Sequence, residues 1–428
     1  MHAKIFFAFM TTFIPFCLAG EEPQEIRVHL LQESPLSLLS ISPIDCSDGS
    51  FSPEYLKELD CILQYDFNHN AKTTTSLNNP KAPYSLSFSL QNKKIQVKAF
   101  HKKEAQGKSF QDIVLTGSLS QDRKTLHQLS DAIHKFFFQS EGIASSKILY
   151  AKQAKTTEGS WISEIAECDW DGGNVKLLTH ENSYCVTPVV VPKSENFQKD
   201  LFLYVSYKTG QPRIFIASKD EGKGKKVVDI RGNQILPAIT KQRDKIAFIC
   251  DASGRTDLFI QDINPETGLT KTPIQLYSYP RSTQASPVFS PDGSKIAFVS
   301  DKDGSPRIYL IPSVTKGKRA TAEMLTKKNK ENSCPSWSPD GTKLAYSTKT
   351  NGIRQIWIYD FLLKEEKQIT CGPGNKENPC WAPNSLHIVF NSTDGAGSDL
   401  YVVNLNQPNA IKITKGQGKN HYPSWGLR

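Results

Sequence analysis

From about Ser146 onward, apolar residues come in short alternating runs, rich in β-branched and aromatic side chains and broken by tight polar turns. That pattern predicts strands rather than helices. One unit shows the logic. Val288-Phe289-Ser290 is a short strand. Ser290-Pro291-Asp292-Gly293 is a turn, in which Pro fixes φ, Asp bonds its own backbone and Gly supplies a positive φ. Lys295–Ser300 is an apolar second strand, Arg307–Leu310 a third and Met324–Thr326 an outer fourth. The same four beats return at Trp337, Leu344–Ser347, Gln355–Tyr359 and Lys367–Thr370. They return again at Trp381, His387–Asn391, Asp399–Val403 and Ile411–Thr414.

The beats belong to a repeat. Pro287–Phe298 matches Pro335–Tyr346, with weaker copies at Pro379–Phe390 and Pro237–Phe248. The corresponding prolines are Pro188, Pro237, Pro287, Pro335, Pro379 and Pro423, spaced by 49, 50, 48, 44 and 44 residues. Such a period with several short strands per unit marks a β-propeller. Pro423-Ser-Trp-Gly426 reads as an inner strand with nothing after it. Lys147–Ala151, Trp161–Asp169 and Val175–Thr179 read as second, third and fourth strands with no inner strand before them. Joined, they complete one blade. The chain is therefore expected to form a six-bladed β-propeller over residues 146–428, closed by its C-terminal strand, which removes exposed sheet edges. Loss of the last six residues should open the ring.

A small α/β domain is expected over residues 21–145. Ile26–Leu31, Leu36–Ile41, Tyr84–Leu90, Ile95–Phe100 and Ile113–Leu119 read as its strands. Ser52-Pro53-Glu54 is a helix start, with a capping Ser and Pro at the first helical position. Leu56, Leu59, Ile62 and Leu63 give that helix an apolar face. A second helix is predicted from Arg123 to Gln139, with Leu126, Leu129, Ile133, Phe136 and Phe137 inward and Gly142 as its stop. Asn68–Pro83 is polar and turn-rich and reads as a loop.

Residues 1–19 form a predicted secretory signal: a short basic start, the apolar core Ile5–Phe16, and small residues for cleavage after Ala19 or Gly20. The rival readings are a membrane anchor, for which the apolar run is short, and lipoprotein processing at Cys17, against which Phe16 is bulky. No later run is long and apolar enough for a membrane span. Loss of Lys4 with the signal lowers the formal charge from +9 to +8. Lys223–Lys226 and Lys316–Arg319 read as solvated loops, and no basic stripe interleaved with aromatics suggests nucleic acid. Eight cysteines remain after the signal, an even number that permits disulfides in an exported protein; Cys46 with Cys61 and Cys168 with Cys185 are the nearest pairs. Neither Cys-x-x-Cys nor clustered His points to a metal. No cofactor is expected.

The signal, the α/β domain ending in Leu129-Ser-Asp-Ala-Ile133, Gly142 and Lys147-Ile-Leu-Tyr150, and the Pro-x-Trp-Ser-Pro-Asp-Gly repeats together resemble the TolB family of the Tol–Pal envelope system. The stretch from Glu21 to about Leu90 departs most from that likeness. The resemblance implies a periplasmic, non-enzymatic protein-binding role that supports outer-membrane integrity during cell division in a Gram-negative envelope. It implies a Pal-like peptidoglycan-associated lipoprotein docked at a mouth of the propeller and a TolA-like inner-membrane protein at the N-terminal side, with other outer-membrane proteins as further candidates. It also implies a partner-switch segment directly after the signal, here Glu21-Glu22-Pro23-Gln24.

The residues select one face independently. In a propeller, the loop entering each inner strand and the loop between the second and third strands share a side. The entering loops carry Gln284, Asn332, Asn378, Asn420 and His421, whose amides and ring can donate and accept. Each Asn could equally cap its own loop, and His421 could be packed or solvated. The Asp301, Asp303, Arg307 and Arg354 loops could rim the mouth or be ordinary solvated turns. Trp337, Trp381 and Trp425 are expected to pack between blades. The rival class, a serine peptidase, would need a Gly-x-Ser-x-Gly and an extra hydrolase domain, and neither is present. A propeller hydrolase or lyase with acids at the channel, or a scaffold for other partners, stays open.

Overall fold

A computed structural model of the chain describes residues 26–28, 35–194, 197, 199–314, 321–395, 397–407, 409–416 and 418–426. The expected signal and Glu21–Gln24 lie outside these residues. Ser52 caps helix α1 (Pro53–Asn68) by accepting from the Tyr55 amide, and Pro53 takes the first turn. Leu59, Ile62 and Leu63 are buried beneath it. Helix α2 (Leu119–Phe138) begins four residues before the expected Arg123, because Ser118 precedes it in an extended conformation. It stops at Gln139, whose φ of 51° is left-handed, and not at Gly142. Gly142 has a different role: a Cβ there would stand 2.2 Å from Asp131 Oδ1. Asp131 reaches past it to accept from the Ala144 and Ser145 amides, tying α2 to the chain entering the propeller.

Both helices cover one face of a five-stranded sheet ordered Thr73–Leu77, Ser37–Asp45, Tyr84–Gln91, Lys94–His101, Gln106–Val114. Leu39, Leu86, Phe88, Ile95 and Val97 pack there against Leu126 and Ile133. Three expectations fail in this part. The supposed loop Asn68–Pro83 holds an edge strand, Thr73–Leu77, parallel to Ser37–Asp45. The last strand is Gln106–Val114 rather than Ile113–Leu119. Arg27–Val28 pairs with Thr370–Cys371 of the propeller instead of joining this sheet, with Ile26 and Val28 buried against Ile358, Ile369 and Leu405.

Strand pairing in the second part gives three four-stranded sheets, one five-stranded sheet and one eight-stranded sheet, the last made of two four-beat units joined at Ser398 and Lys419, so six units share the pattern. Their inner strands are Cys185–Val190, Gln234–Ile239, Gln284–Phe289, Ser333–Trp337, Asn375–Trp381 and Lys419–Trp425. We number the first five blades in that order. Lys419–Trp425 pairs antiparallel with Lys147–Lys155, which pairs with Trp161–Asp169 and then Lys176–Leu177, so the closing blade is made from both ends of this part. Trp425 and Trp381 are buried and donate to Ser146 Oγ and the Ser336 carbonyl. Trp337 stacks on Phe361 at 4.6 Å. The Pro-Asp-Gly turns form as their chemistry requires: Asp292 accepts from Ser290 and Ser294, and Gly293 and Gly341 both have φ 73°. Lys225 and Lys226 form an outer strand, not a loop, and Lys316–Arg319 lie outside the described residues. All eight described cysteines are unpaired thiols.

The two parts meet through the end of α1. A helix leaves its last carbonyls without partners. Here propeller side chains supply them: Gln407 Nε2 donates to the Asn68 carbonyl at 2.7 Å and His387 Nε2 to that of His69 at 2.6 Å. Beside them, Asp66 accepts from Trp170 Nε1 and faces His127 Nδ1 at 2.9 Å. Among the described residues, no helix is long and apolar enough to cross a membrane.

Candidate functional site: the aromatic mouth of the propeller

All six repeat prolines line one cavity of about 220 Å³ on the ring axis. The residue before each is Thr187, Leu236, Ser286, Cys334, Asn378 or Tyr422, and every one has φ between +46° and +54°. Each inner strand shifts register at this point. These are six β-bulges at equivalent places, which turn the strand and aim the pre-proline side chain into the mouth. A left-handed residue other than Gly costs about 1–2 kcal/mol, so each bulge is held by its surroundings.

The holding is visible three residues before each proline, at Cys185, Gln234, Gln284, Asn332, Lys376 and Asn420, all buried. Gln234 donates to the Ile230 carbonyl at 2.7 Å, Gln284 to Ser282 Oγ at 2.9 Å, and Asn332 to Thr326 Oγ1 at 2.6 Å and the Asn329 carbonyl. Asn420 donates to the Ser398 carbonyl at 3.4 Å. Lys376 Nζ is enclosed by the carbonyls of Gly372, Pro373 and Gly374, and burial lowers its pKa to about 8. The structure thus places Gln284, Asn332 and Asn420 beneath the mouth, bonded to loop groups, while Asn378 lines the cavity. Asn378 donates to Asn391 Oδ1 at 2.8 Å. His421 is half-buried on the same rim, 3.2 Å from Ser398 Oγ, and burial, then Lys419, lowers its pKa.

The supposed rim charges are also tied to loops. Arg307 donates to the Lys327 and Asn329 carbonyls, and Arg354 to that of Glu331 and to Ser333 Oγ. Asp301 accepts from the Thr283 amide and hydroxyl, and Asp303 from Tyr309. Such stapling presents a fixed surface and reduces the ordering cost of binding.

What the surface presents is aromatic. Trp161, Tyr184, Tyr207, Tyr279 and Tyr422 are 36–41% exposed. Apart from Phe100, they are the exposed large aromatics among the described residues, and all five lie at this mouth, Tyr184, Tyr207 and Tyr279 on its loops and Trp161 and Tyr422 in strands that reach it. Tyr184 and Tyr207 meet edge to face at 6.3 Å. Burial, with Cys334, Glu377, Tyr207 and Tyr184 nearby, raises the Tyr422 pKa. The rim is uneven. Second strands are six residues long in the first three blades, eight in the fourth and fifth, and nine in the closing blade, with the extra length at this mouth. Sequence reasoning missed the aromatic set. Its signal was a bulky aromatic in turn-rich segments where small polar residues are the rule.

One acid–His grouping lies elsewhere. His127, Asp169 and Asp171 offer ligand atoms within 4.8 Å of one another at the α2–propeller junction. Arg123 pairs with both aspartates and Lys147 with Asp169, so protein cations already neutralise them.

Comparison with known proteins agrees with this architecture. The family model described as the TolB beta propeller domain matches residues 136–428. A protein named as a TolB homolog from Protochlamydia amoebophila is 44% identical over 398 residues, covering 86% of this chain and 85% of that protein. One from Chlamydia felis is 34% identical over 280 residues, covering 64% of this chain and 65% of that protein. The crystal structure of TolB from Acinetobacter baumannii superposes with a TM-score of 0.75 at 19% identity, covering 95% of this chain and all of that one, a likeness of fold.

Proposed function

Because this chain belongs to the TolB family, we propose that it is a non-enzymatic, periplasmic protein-binding component of a Tol–Pal-type envelope system. A Pal-like peptidoglycan-associated lipoprotein docks on the aromatic mouth. A TolA-like inner-membrane protein engages the N-terminal side through Glu21–Gln24, the segment directly after the signal. The assembly supports outer-membrane integrity during division. The observation that carries the docking assignment is the gathering of exposed Trp and Tyr at one mouth with stapled loops. Trp and Tyr are the residues that dominate binding energy at protein interfaces. The cavity behind them is small, so a folded partner caps the mouth and inserts at most a loop tip. Asn378 and His421 contribute polar contacts at the rim; Gln284, Asn332 and Asn420 act from beneath by fixing the loops.

The test is binding of the globular domain of the same organism's Pal-like lipoprotein to the mature chain, followed by calorimetry. Asn378→Asp combined with Tyr422→Glu places two negative charges in the mouth at positions already left-handed. Affinity should fall about tenfold or more, with an unchanged melting temperature. Unchanged affinity would remove the axial cavity of the mouth as the docking surface.

A further inference from the structure

We infer that the tall side of the mouth, at the hairpin of the closing blade, is a cation–aromatic clamp for an acidic segment of the docked protein. This inference rests on the mouth-docking reading above and gives it a chemistry. The hairpin joins Lys147–Lys155 to Trp161–Asp169, and its last ladder pair is Lys155 opposite Trp161. Lys155 Nζ stands 5.4 Å from the Trp161 ring centre, and Lys419 Nζ, from the C-terminal strand, stands 5.1 Å from it. Two ammonium groups therefore share one exposed indole. Neither lysine has a carboxylate partner among the described residues. Glu181, Glu331 and Glu377 on this mouth are already engaged, with Lys208, Lys349 and Arg354; Glu158, in the turn of the hairpin itself, makes no ion pair among the described residues and leaves the two lysines with a net positive charge.

The clamp continues into the aromatic set. Gln153, on the same strand face as Lys155, donates to the Tyr184 hydroxyl, and Tyr184 touches Tyr207. The result is a connected ledge of indole and phenol rings with two unpaired positive charges at its outer end. A cation held over an aromatic face keeps its full positive charge, and charge without an opposite partner at an interface rim steers a partner of opposite sign. An apolar partner would leave both ammonium groups uncompensated, and a basic one would be repelled. The fitting occupant is a protein surface carrying at least two carboxylates beside an apolar or aromatic contact for Trp161.

The experiment uses the mature full-length chain and the same lipoprotein domain as probe, in low and high salt. Lys155→Glu with Lys419→Glu should weaken binding about tenfold or more and flatten its salt dependence, and Trp161→Ala should weaken it about tenfold. Thermal melts check that the ring is intact. If the wild type binds and the Asn378/Tyr422 variant is weakened while the Lys155/Lys419 and Trp161 variants are not, this inference falls and the mouth reading stands. If only the clamp variants lose affinity, the clamp stands and the axial mouth reading falls. No binding by the wild type overturns both. A disaccharide fragment of peptidoglycan serves as a second probe. Its binding to the wild type and loss in Trp161→Ala, with lipoprotein affinity unchanged, would make the ledge a glycan site and overturn the acidic-protein assignment.

Discussion

One buried residue beneath the bulge of each blade helps to hold it. Lys376 stands where other blades have Gln, Asn or Cys, yet it is the only one of the six that brings a charge into a fully buried place. Its ammonium replaces water for three carbonyls in a loop that must turn sharply between Cys371 and Asn375. Replacing it with Met keeps the stem and orphans those carbonyls. Hydrogen bonds to a charged group contribute about 1.5–3 kcal/mol and desolvation of the ammonium offsets part of that gain, so Lys376→Met should cost at most about 3 kcal/mol in urea denaturation near neutral pH. Burial lowers its pKa from 10.5 to about 8. The unfolded chain therefore binds more protons than the folded one between those values. Stability should rise with pH across that window in the wild type, and Lys376→Met should lose this contribution. A wild-type curve that falls there would contradict the assignment.

At the scale of elements, the junction of α2 with the propeller is sensitive to protonation. His127 of α2 faces Asp66 of α1 and Asp169 of the propeller, with Asp171, Arg123 and Lys147 around them. Burial alone would lower its pKa, but the charges of Asp66, Asp171 and Asp169 outweigh it and the net shift is upward. A raised folded pKa gives stability that is full below the ordinary value of about 6.5 and is lost as pH rises through the folded value. Protection of α2 amides from hydrogen exchange should therefore decline as pH rises above about 6.5, and His127→Gln should make it insensitive. The junction also shows where reading the sequence stops. The blades were legible because Pro-Asp-Gly turns and apolar alternation are local. Thr73–Leu77 was not, because its Thr-Thr-Thr-Ser-Leu lacks an apolar alternation and it is placed by pairing beside Ser37–Asp45. Arg27–Val28 was legible as a strand, but its partner lies more than three hundred residues away, and nothing local encodes that choice. The entering-loop amides were found as a set; their burial depended on the bulge that follows them.

For the whole molecule, closure by Lys419–Trp425 predicts a large effect from a small cut. Removing Pro423–Arg428 deletes Ser424 and Trp425, the partners of Leu149 and Ile148, and with Trp425 the indole that donates to Ser146 Oγ, so the Lys147–Leu149 end of that strand loses its neighbour. The truncated chain should bind a hydrophobic dye and lose exchange protection first in Lys147–Lys155. Retained protection there would mean that the blade stands without its inner strand. Closure would seem to give six equivalent positions around an axis, but the unequal second strands do not. Long hairpins occupy one half of the circumference and short ones the other, so a body seated at the mouth meets a shoulder on one side only. Rotating it by one blade would put that shoulder under the wrong part of its surface. A guest docked as proposed would therefore have a single azimuth, and its heading would be fixed relative to the helices that grip the opposite end of the closing blade.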